Sequence, residues 1–263
     1  MGLNRREFLK RSGATAAGLI GAPSLLSALA DASTPAGPQA APTQKTQRWA
    51  MVVDVQKCLQ GKCKGCVKAC HEWHNVPEWD EERLEVKWIW EEMFSRLFSD
   101  QTYEHMPVLL SNKSVLALCN HCANPPCVRV CPTKATFQQP DGIVAMDMHR
   151  CIGCRFCIAA CPYGARSFNW KNPREAKNLM QRINPDYPTR ARGVVEKCNF
   201  CAERLARGQM PACVERAEDD ALVFGDLNDP HSKIVQTLAS NFAIRRRPNL
   251  ETDPQVYYLI RPF

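Results

Sequence analysis

The run Cys151-Ile152-Gly153-Cys154-Arg155-Phe156-Cys157-Ile158-Ala159-Ala160-Cys161-Pro162 decides what kind of protein this is. Its spacing, C-x2-C-x2-C-x3-C-P, is one that holds four-iron clusters, and reach explains why. Three cysteines in a tight loop can wrap three corners of a cubane while backbone N–H groups point at its sulfurs. Gly153 relieves crowding where the chain hugs the cluster. The fourth cysteine lies past a helical turn and faces away, so it serves a neighbouring cluster. Pro162 ends that turn. This one run therefore implies two clusters close together.

Working outward, the grouping recurs. A first block has Cys58, Cys63, Cys66 and Cys70, and a second has Cys119, Cys122, Cys127 and Cys131, followed by Pro132. The quoted run is the third block. The fourth has Cys198, Cys201 and Cys213, with Ala217 where one more cysteine would complete it. Together the blocks use all 15 cysteines. The first two loops are widened, with Gly61 and Gly65 in one and Asn124-Pro125-Pro126 in the other. Zinc ribbons also use C-x2-C pairs, but they need two pairs per site and leave the triple-plus-one grouping and the trailing prolines unexplained. An odd cysteine count fits poorly with a closed disulfide framework, and no C-x-x-C-H run for haem attachment occurs.

The segments between blocks read as short strands and turns. Ala50 to Val55 is an apolar run leading into the first cysteines. Gln138-Gln139-Pro140-Asp141-Gly142 is a turn signal ahead of the strand-like Ile143 to Met146. Ala221 to Phe224, followed by Gly225-Asp226, repeats the idea. Short strands and one-to-three-turn helices around cysteines predict a small α+β fold whose core is partly inorganic.

The start of the chain reads as an address. Asn4-Arg5-Arg6-Glu7-Phe8-Leu9-Lys10 precedes a mildly apolar, Ala- and Gly-rich stretch from Ser12 to Leu29, and Ala28-Leu29-Ala30 offers small residues for cleavage. Basic flank, apolar stretch and small-residue end make residues 1–30 a signal peptide, of twin-arginine type. That route is known for moving folded proteins, often with a cofactor inserted, which suits clusters assembled in a reducing cytoplasm. Residues 31–47, rich in Ala, Pro and Thr, read as a flexible linker. No run of about 18 apolar residues follows, so no spanning helix is expected in the mature form. The location expected is the periplasm, with peripheral attachment to the inner membrane through partners.

Nearly half of the 263 residues are apolar, enough for a buried core. The formal charge is +7, of which Arg5, Arg6, Lys10 and Arg11 against Glu7 supply +3 before cleavage. Cluster-bound thiolates lower the remainder, so no nucleic-acid partner is expected.

With four blocks in this order, the chain resembles the four-cluster ferredoxin-type subunits of membrane-bound redox complexes, those of the dimethyl sulfoxide reductase, polysulfide reductase and nitrite-reductase-associated kinds. The resemblance is carried by Cys119-Asn120-His121-Cys122-Ala123-Asn124-Pro125-Pro126-Cys127, by the third block, by Lys197-Cys198-Asn199-Phe200-Cys201-Ala202-Glu203-Arg204-Leu205, by Pro211-Ala212-Cys213-Val214-Glu215, by Phe224 to Pro230 and by Pro254 to Leu259. It runs from about Arg48 to the end. His71 to Pro77 and Lys87 to Trp90, with the signal, are most similar to the DsrO type, the periplasmic iron–sulfur subunits of the Dsr membrane complex of sulfur metabolism.

The resemblance implies a tandem bacterial-ferredoxin-like fold with loop insertions: two pseudo-repeated units, one from 48–113 plus 195–229 and one from 114–194, and a C-terminal tail over 230–263. It also implies the ligand sets. Cys119, Cys122 and Cys127 with Cys161 would hold one [4Fe-4S] cluster. Cys151, Cys154 and Cys157 with Cys131 would hold the next, and Cys198, Cys201 and Cys213 with Cys70 a third. Cys58, Cys63 and Cys66 would begin a fourth, but its last ligand falls at Ala217. That site is expected to be empty, three-iron or differently ligated. The implied role is non-catalytic, passing single electrons between an integral-membrane, quinone-interacting subunit and other redox subunits. A relay for a molybdopterin reductase, such as a polysulfide or tetrathionate reductase, or in a nitrite reductase pathway is the alternative.

No substrate-handling motif stands beside these blocks. His71 and His74 read as loop histidines making hydrogen bonds, with a metal or proton role as the alternative. Trp73, Trp79, Trp88 and Trp90 read as packing over the clusters, or else as a partner surface. Arg245-Arg246-Arg247 reads as a solvated run.

Overall fold

The computed structural model describes residues 46–63, 65–101, 112–177 and 179–261. The predicted signal peptide and nearly all of the predicted linker lie outside the described residues.

The cores grow from apolar strands. Strand β1 (Trp49–Asp54) is buried along almost its whole length, as its unbroken run of apolar residues requires. It pairs antiparallel with β8 (Leu222–Asp226), where Met51 lies opposite Phe224, and parallel with β10 (Val256–Leu259), where Met51 lies opposite Val256. Strand β9 (Ala243–Ile244) adds to β10, so the sheet order is β8-β1-β10-β9. Residues 230–263, read from the sequence as a tail, therefore supply two strands of the largest sheet. They also supply helix α8 (Lys233–Ser240), whose Ile234 is buried with Ala50, Val52 and Leu259.

Three two-stranded ribbons complete the sheet structure: β2 (Ile89–Met93) with β3 (Ser114–Leu118), β4 (Thr136–Gln138) with β5 (Val144–Met146), and β6 (Ser167–Phe168) with β7 (Val195–Glu196). The Pro140-Asp141-Gly142 turn closes the β4–β5 hairpin, in which Thr136 faces Met146. Gly142 takes φ +87° there, a backbone region that favours glycine.

The helices are short, and most of them carry or adjoin a cysteine. Helix α1 (Val55–Leu59) is capped by the Asp54 carboxylate, which accepts from the Lys57 amide. Helix α2 (Cys66–Trp73) opens after Gly65 at φ +89°. The others that matter here are α4 (Pro126–Arg129), α5 (Phe156–Ala160), α6 (Ala202–Leu205) and α7 (Ala212–Arg216). Of the shorter elements not needed below, α3 (Phe94–Leu97) follows β2 directly. The fold is a mixed helix-and-strand assembly, as expected. Among the described residues no helix is long and apolar enough to cross a membrane.

One surface expectation fails. Arg246 is buried, with its guanidinium donating to the carbonyls of Leu97 and Tyr163 at 3.4 Å each, so the triple arginine is not a solvated run. Gly153 does meet crowding, but a Cβ there would run into the Gly193 carbonyl and come to 3.0 Å of the Phe168 ring. The pressure on that glycine comes from the chain entering β7.

Candidate metal centres

Helices α2, α4, α5 and α7 each carry a cysteine into the interior. In α5 Cys157 is buried while Phe156 faces out, and in α7 Ala212 and Cys213 form the buried face. Two enclosed cavities result. One is lined by Cys119, Cys122, Cys127 and Cys161 together with Asn120, Pro125, Pro126 and Arg166. The other is lined by Cys131, Cys151, Cys154 and Cys157, with Gly153 and Thr136 in its wall. A third group gathers around Cys70, whose thiol is pushed up by burial and then by Cys213, Cys198 and Cys201 beside it. The structure thus gathers three sets of four sulfurs, each mixing a triplet from one block with the last cysteine of another.

The sets stand in a row. The Cys157 thiol, raised by burial, also senses Cys127 of the neighbouring set. The Cys198 thiol, raised by burial to about 12, next senses Cys119. The order is therefore the Cys151 set, the Cys119 set, then the Cys198 set. Beyond it comes Cys66, which Cys213 senses in turn.

The first block differs from expectation. Cys58 and Cys63 are joined as a disulfide, which brings together two of the three sulfurs expected at the fourth site. Cys66 remains a buried thiol, pushed up to about 11 by burial against the opposing pull of Arg216. The C-x4-C spacing that suits a widened cluster loop also lets two sulfurs meet, which is why sequence could not separate the cases.

The donor chemistry of the three complete sets fits an anionic, sulfur-rich group. Burial drives Cys122 to about 12 and raises Cys70, Cys201 and Cys213 as well, so bare thiolates here would be costly without bound cations. Backbone N–H groups of Thr136 and Phe200 point at Cys131 and Cys198 sulfurs at 3.5 Å. Asn120 Nδ2 and Arg166 Nη2 are buried donors with no hydrogen-bond partner, and both residues line the Cys119 cavity. A group with acceptor sulfurs is what they lack.

Several residues around the sets were invisible in the sequence. Lys197 is buried, donating to the carbonyls of Val144 and Cys198. Glu196 and Arg190 form a buried ion pair at 2.6 Å, and Trp88 and Asn169 also donate to that carboxylate. Glu203 accepts from Trp73 at 2.8 Å and from Asn199 at 2.9 Å. Burial pushes its carboxyl up, but the hydrogen bonds and charge around it, led by those of His74, together outweigh that and hold it at about 2.

The histidines stand on and just after α2, not in a loop. His71 Nε2 meets the Ile89 carbonyl at 3.1 Å, and burial lowers its pKa to about 4. His74 has Nε2 3.1 Å from Glu203 and Nδ1 2.9 Å from the Cys70 carbonyl, and it stacks on Trp88 at 4.2 Å. These are hydrogen-bonding roles, although His74, Cys201 and Glu203 offer donor atoms within 4.8 Å of one another. Trp88 and Trp90 are buried, Trp73 is tied to Glu203, and Lys171 lies over the Trp79 ring, so the tryptophans pack against the protein's own side chains.

Comparison with known proteins agrees with this chemistry. Residues 113–184 match the model of a 4Fe-4S dicluster domain. The chain is 42% identical to the Hdr-like menaquinol oxidoreductase iron–sulfur subunit 1 of Archaeoglobus fulgidus, over 97% of each chain. It is 35% identical to a tetrathionate reductase subunit of Salmonella typhimurium, over 98% of this chain and 89% of that one. It is 37% identical to a polysulfide reductase component of Wolinella succinogenes, over 80% of this chain and 93% of that one. The resemblance read from the cysteine blocks is thereby shown, and the chain belongs to the family of 4Fe-4S iron–sulfur subunits of oxidoreductase complexes that includes these three proteins.

Proposed function

We propose that this chain is a non-catalytic electron relay, carrying three [4Fe-4S] clusters in a row and exported to the periplasm by the twin-arginine route. The observation that carries the reading is the row itself: one cavity walled by Cys131, Cys151, Cys154 and Cys157, the next walled by Cys119, Cys122, Cys127 and Cys161, with Cys127 and Cys157 in one packed cluster and Cys119 and Cys198 in another. Bound clusters would accept and release single electrons without proton or bond chemistry on the protein. The chain's own part is to hold, space and shield them. The ligands proposed are Cys131, Cys151, Cys154 and Cys157; Cys119, Cys122, Cys127 and Cys161; and Cys70, Cys198, Cys201 and Cys213. The fourth position is proposed to be empty of iron. In this reading the two halves are tandem ferredoxin-like units.

The partner expected at the Cys151 end is an integral-membrane, quinone-interacting subunit. Ile152 and Phe156 are 67% and 60% exposed beside that set, amid exposed Arg129, Lys134 and Arg155. An apolar centre with a basic rim suits a partner presenting an acidic rim. The reading includes a DsrO-like role in sulfur metabolism. The name of the Archaeoglobus relative, a menaquinol oxidoreductase subunit, favours a quinone-linked complex of this kind. The names of the tetrathionate and polysulfide relatives support the second reading, a relay for a molybdopterin reductase. Neighbouring genes separate them: a gene for a molybdopterin protein next to this one favours the second.

The test is iron and acid-labile sulfide content with EPR on anaerobically purified, exported protein. About twelve irons per chain, all in four-iron clusters, are expected. Zinc without iron, in cells with competent cluster assembly, would sink the relay. Export is tested separately: replacing Arg5 and Arg6 by Lys should leave the protein in the cytoplasm.

A further inference from the structure

The region between the first two sets holds a cation that the relay reading does not use. Arg166, four residues beyond Pro162, is 5% exposed. Its Nη1 donates to Thr136 Oγ1 at 3.1 Å and lies 3.8 Å from Met146 Sδ. Nη2 has no partner, although the side chain forms part of the wall around Cys119, Cys122, Cys127 and Cys161. The guanidinium faces Cys127 and Cys119 of that set and Cys157 of the next. A guanidinium keeps its charge under all ordinary conditions, so this is a fixed positive charge buried between two groups of sulfurs.

Burying such a charge with one arm unpaired is unfavourable in the apoprotein. Anions on either side reverse that. Lys197, at the junction of the Cys119 and Cys198 sets, makes a useful contrast. Its ammonium is satisfied by two carbonyls, so its position is explained without any further ligand. Arg166 has one oxygen partner, the Thr136 hydroxyl, and its other neighbours are sulfurs: Met146 Sδ and the Cys127 and Cys157 thiols.

Resting on the three-cluster reading, we infer that Arg166 is a positioning residue shared by two clusters, raising the reduction potentials of the Cys119 and Cys151 clusters together while leaving the Cys198 cluster untouched. The physical basis is that reduction adds negative charge to a cluster. A fixed cation, or an N–H aimed at its sulfurs, stabilises the reduced form more than the oxidised form. Because one guanidinium faces both sets, its effect falls on both. Because both potentials move together, the step between these two clusters keeps its driving force while the step to the Cys198 cluster changes.

The experiment is EPR-monitored redox titration of the exported, cluster-loaded protein, comparing Arg166→Gln and Arg166→Lys with the unsubstituted chain. Gln keeps a donor for Thr136 and loses the charge; Lys keeps the charge. In Arg166→Gln two of the three potentials should fall, each by about tenfold in the reduction equilibrium, or roughly 59 mV for one electron. The third should hold, and iron content should stay constant. Arg166→Lys should restore most of the shift. Unmoved potentials, a shift in all three, or no difference between Gln and Lys would overturn the inference. Should Arg166→Gln not retain iron, Thr136→Ala loosens the same guanidinium with its charge in place. The same two potentials should then change, and their constancy would overturn the inference equally. Absence of iron from the unsubstituted protein would instead defeat the relay reading, which keeps the two failures distinct.

Discussion

The two ends of the row start from similar sequence and finish differently. At one end, the third block's tight loop and Cys131 bring four sulfurs to one cavity, partly exposed under Ile152 and Phe156. At the other end, the first block sends Cys70 to the Cys198 set, and its remaining Cys58, Cys63 and Cys66 meet Ala217 at the end of α7. There Cys58 and Cys63 bond to each other and Cys66 is left buried. Lys62 closes over this end, with its carbonyl accepting from the Glu218 amide at 3.1 Å and its ammonium 3.0 Å from Asp219. A cysteine block makes a site with four sulfurs only when its fourth sulfur arrives from elsewhere in the chain. Without it, the same loop is free to become a covalent staple.

The sharpest way to break this contrast is to remove one sulfur from each end. Cys157→Ser should cost about four of twelve irons per chain, because one cubane loses a corner in a buried wall. Cys58→Ser should cost none. Iron analysis of the two variants decides the matter, and an equal loss in both would restore a metal role to the first block. The complementary gain, Ala217→Cys, should leave iron unchanged as long as the Cys58–Cys63 bond persists.

Next in size are two changes to the scaffold. Arg190→Met leaves Glu196 charged in a site with no water access, and losing one partner of such a pair costs about 3 to 5 kcal/mol. The same arginine donates to the carbonyls of His74 and Asn75, just past α2, so the Cys198 set should loosen with it. Chemical denaturation with iron release as a second probe should show both. Gly153→Ala forces a Cβ toward the Gly193 carbonyl at φ +70°, a cost of about 1 to 3 kcal/mol concentrated at the Cys151 end. The Cys198 cluster should survive it.

The staple at the other end is weaker. Closing so short a loop removes little chain entropy, about 2 kcal/mol. The Cys58→Ser, Cys63→Ser double variant should therefore unfold at slightly lower denaturant with its iron intact. Peptide mapping of the unreduced protein should recover the 58–63 cross-link. Finding both thiols free in the loaded, exported protein would argue against the staple.

How far sequence reaches can be judged from the same two ends. The contiguous triplets were legible because a cluster loop is local, and the apolar runs flanking them became β1, β5 and β8 as expected. Which distant cysteine completes which triplet is tertiary, and only resemblance to a family implied it. The charged interior was not legible. Arg166, Arg190 and Arg246 look like ordinary surface arginines in a row of letters, and nothing local says that sulfurs, a carboxylate or carbonyls will enclose them. Lys197 stands next to a block, yet its burial depends on the Val144 carbonyl arriving from β5. The parallel pairing of β10 with β1 was hidden for the same reason, since strands some two hundred residues apart carry no mutual signature.

The smallest effect on the protein itself is expected where the surface is most apolar. Phe156→Ser removes a 60% exposed ring at the start of α5 while Cys157 keeps its buried place. Little contact is lost within the chain, so stability should change by less than about 0.5 kcal/mol and iron should be unaffected. If this end is where electrons pass to a membrane partner, the cost appears only in the assembled complex. Apolar side chains at the centre of an interface exclude water and hold the sulfurs close to the partner's acceptor. Electron exchange with the membrane fraction should slow, and the matching change at the stapled end, Lys62→Ser, should leave that rate alone. Equal slowing by both substitutions would mean the row has no preferred end, whereas slowing by Phe156→Ser alone would give it a direction.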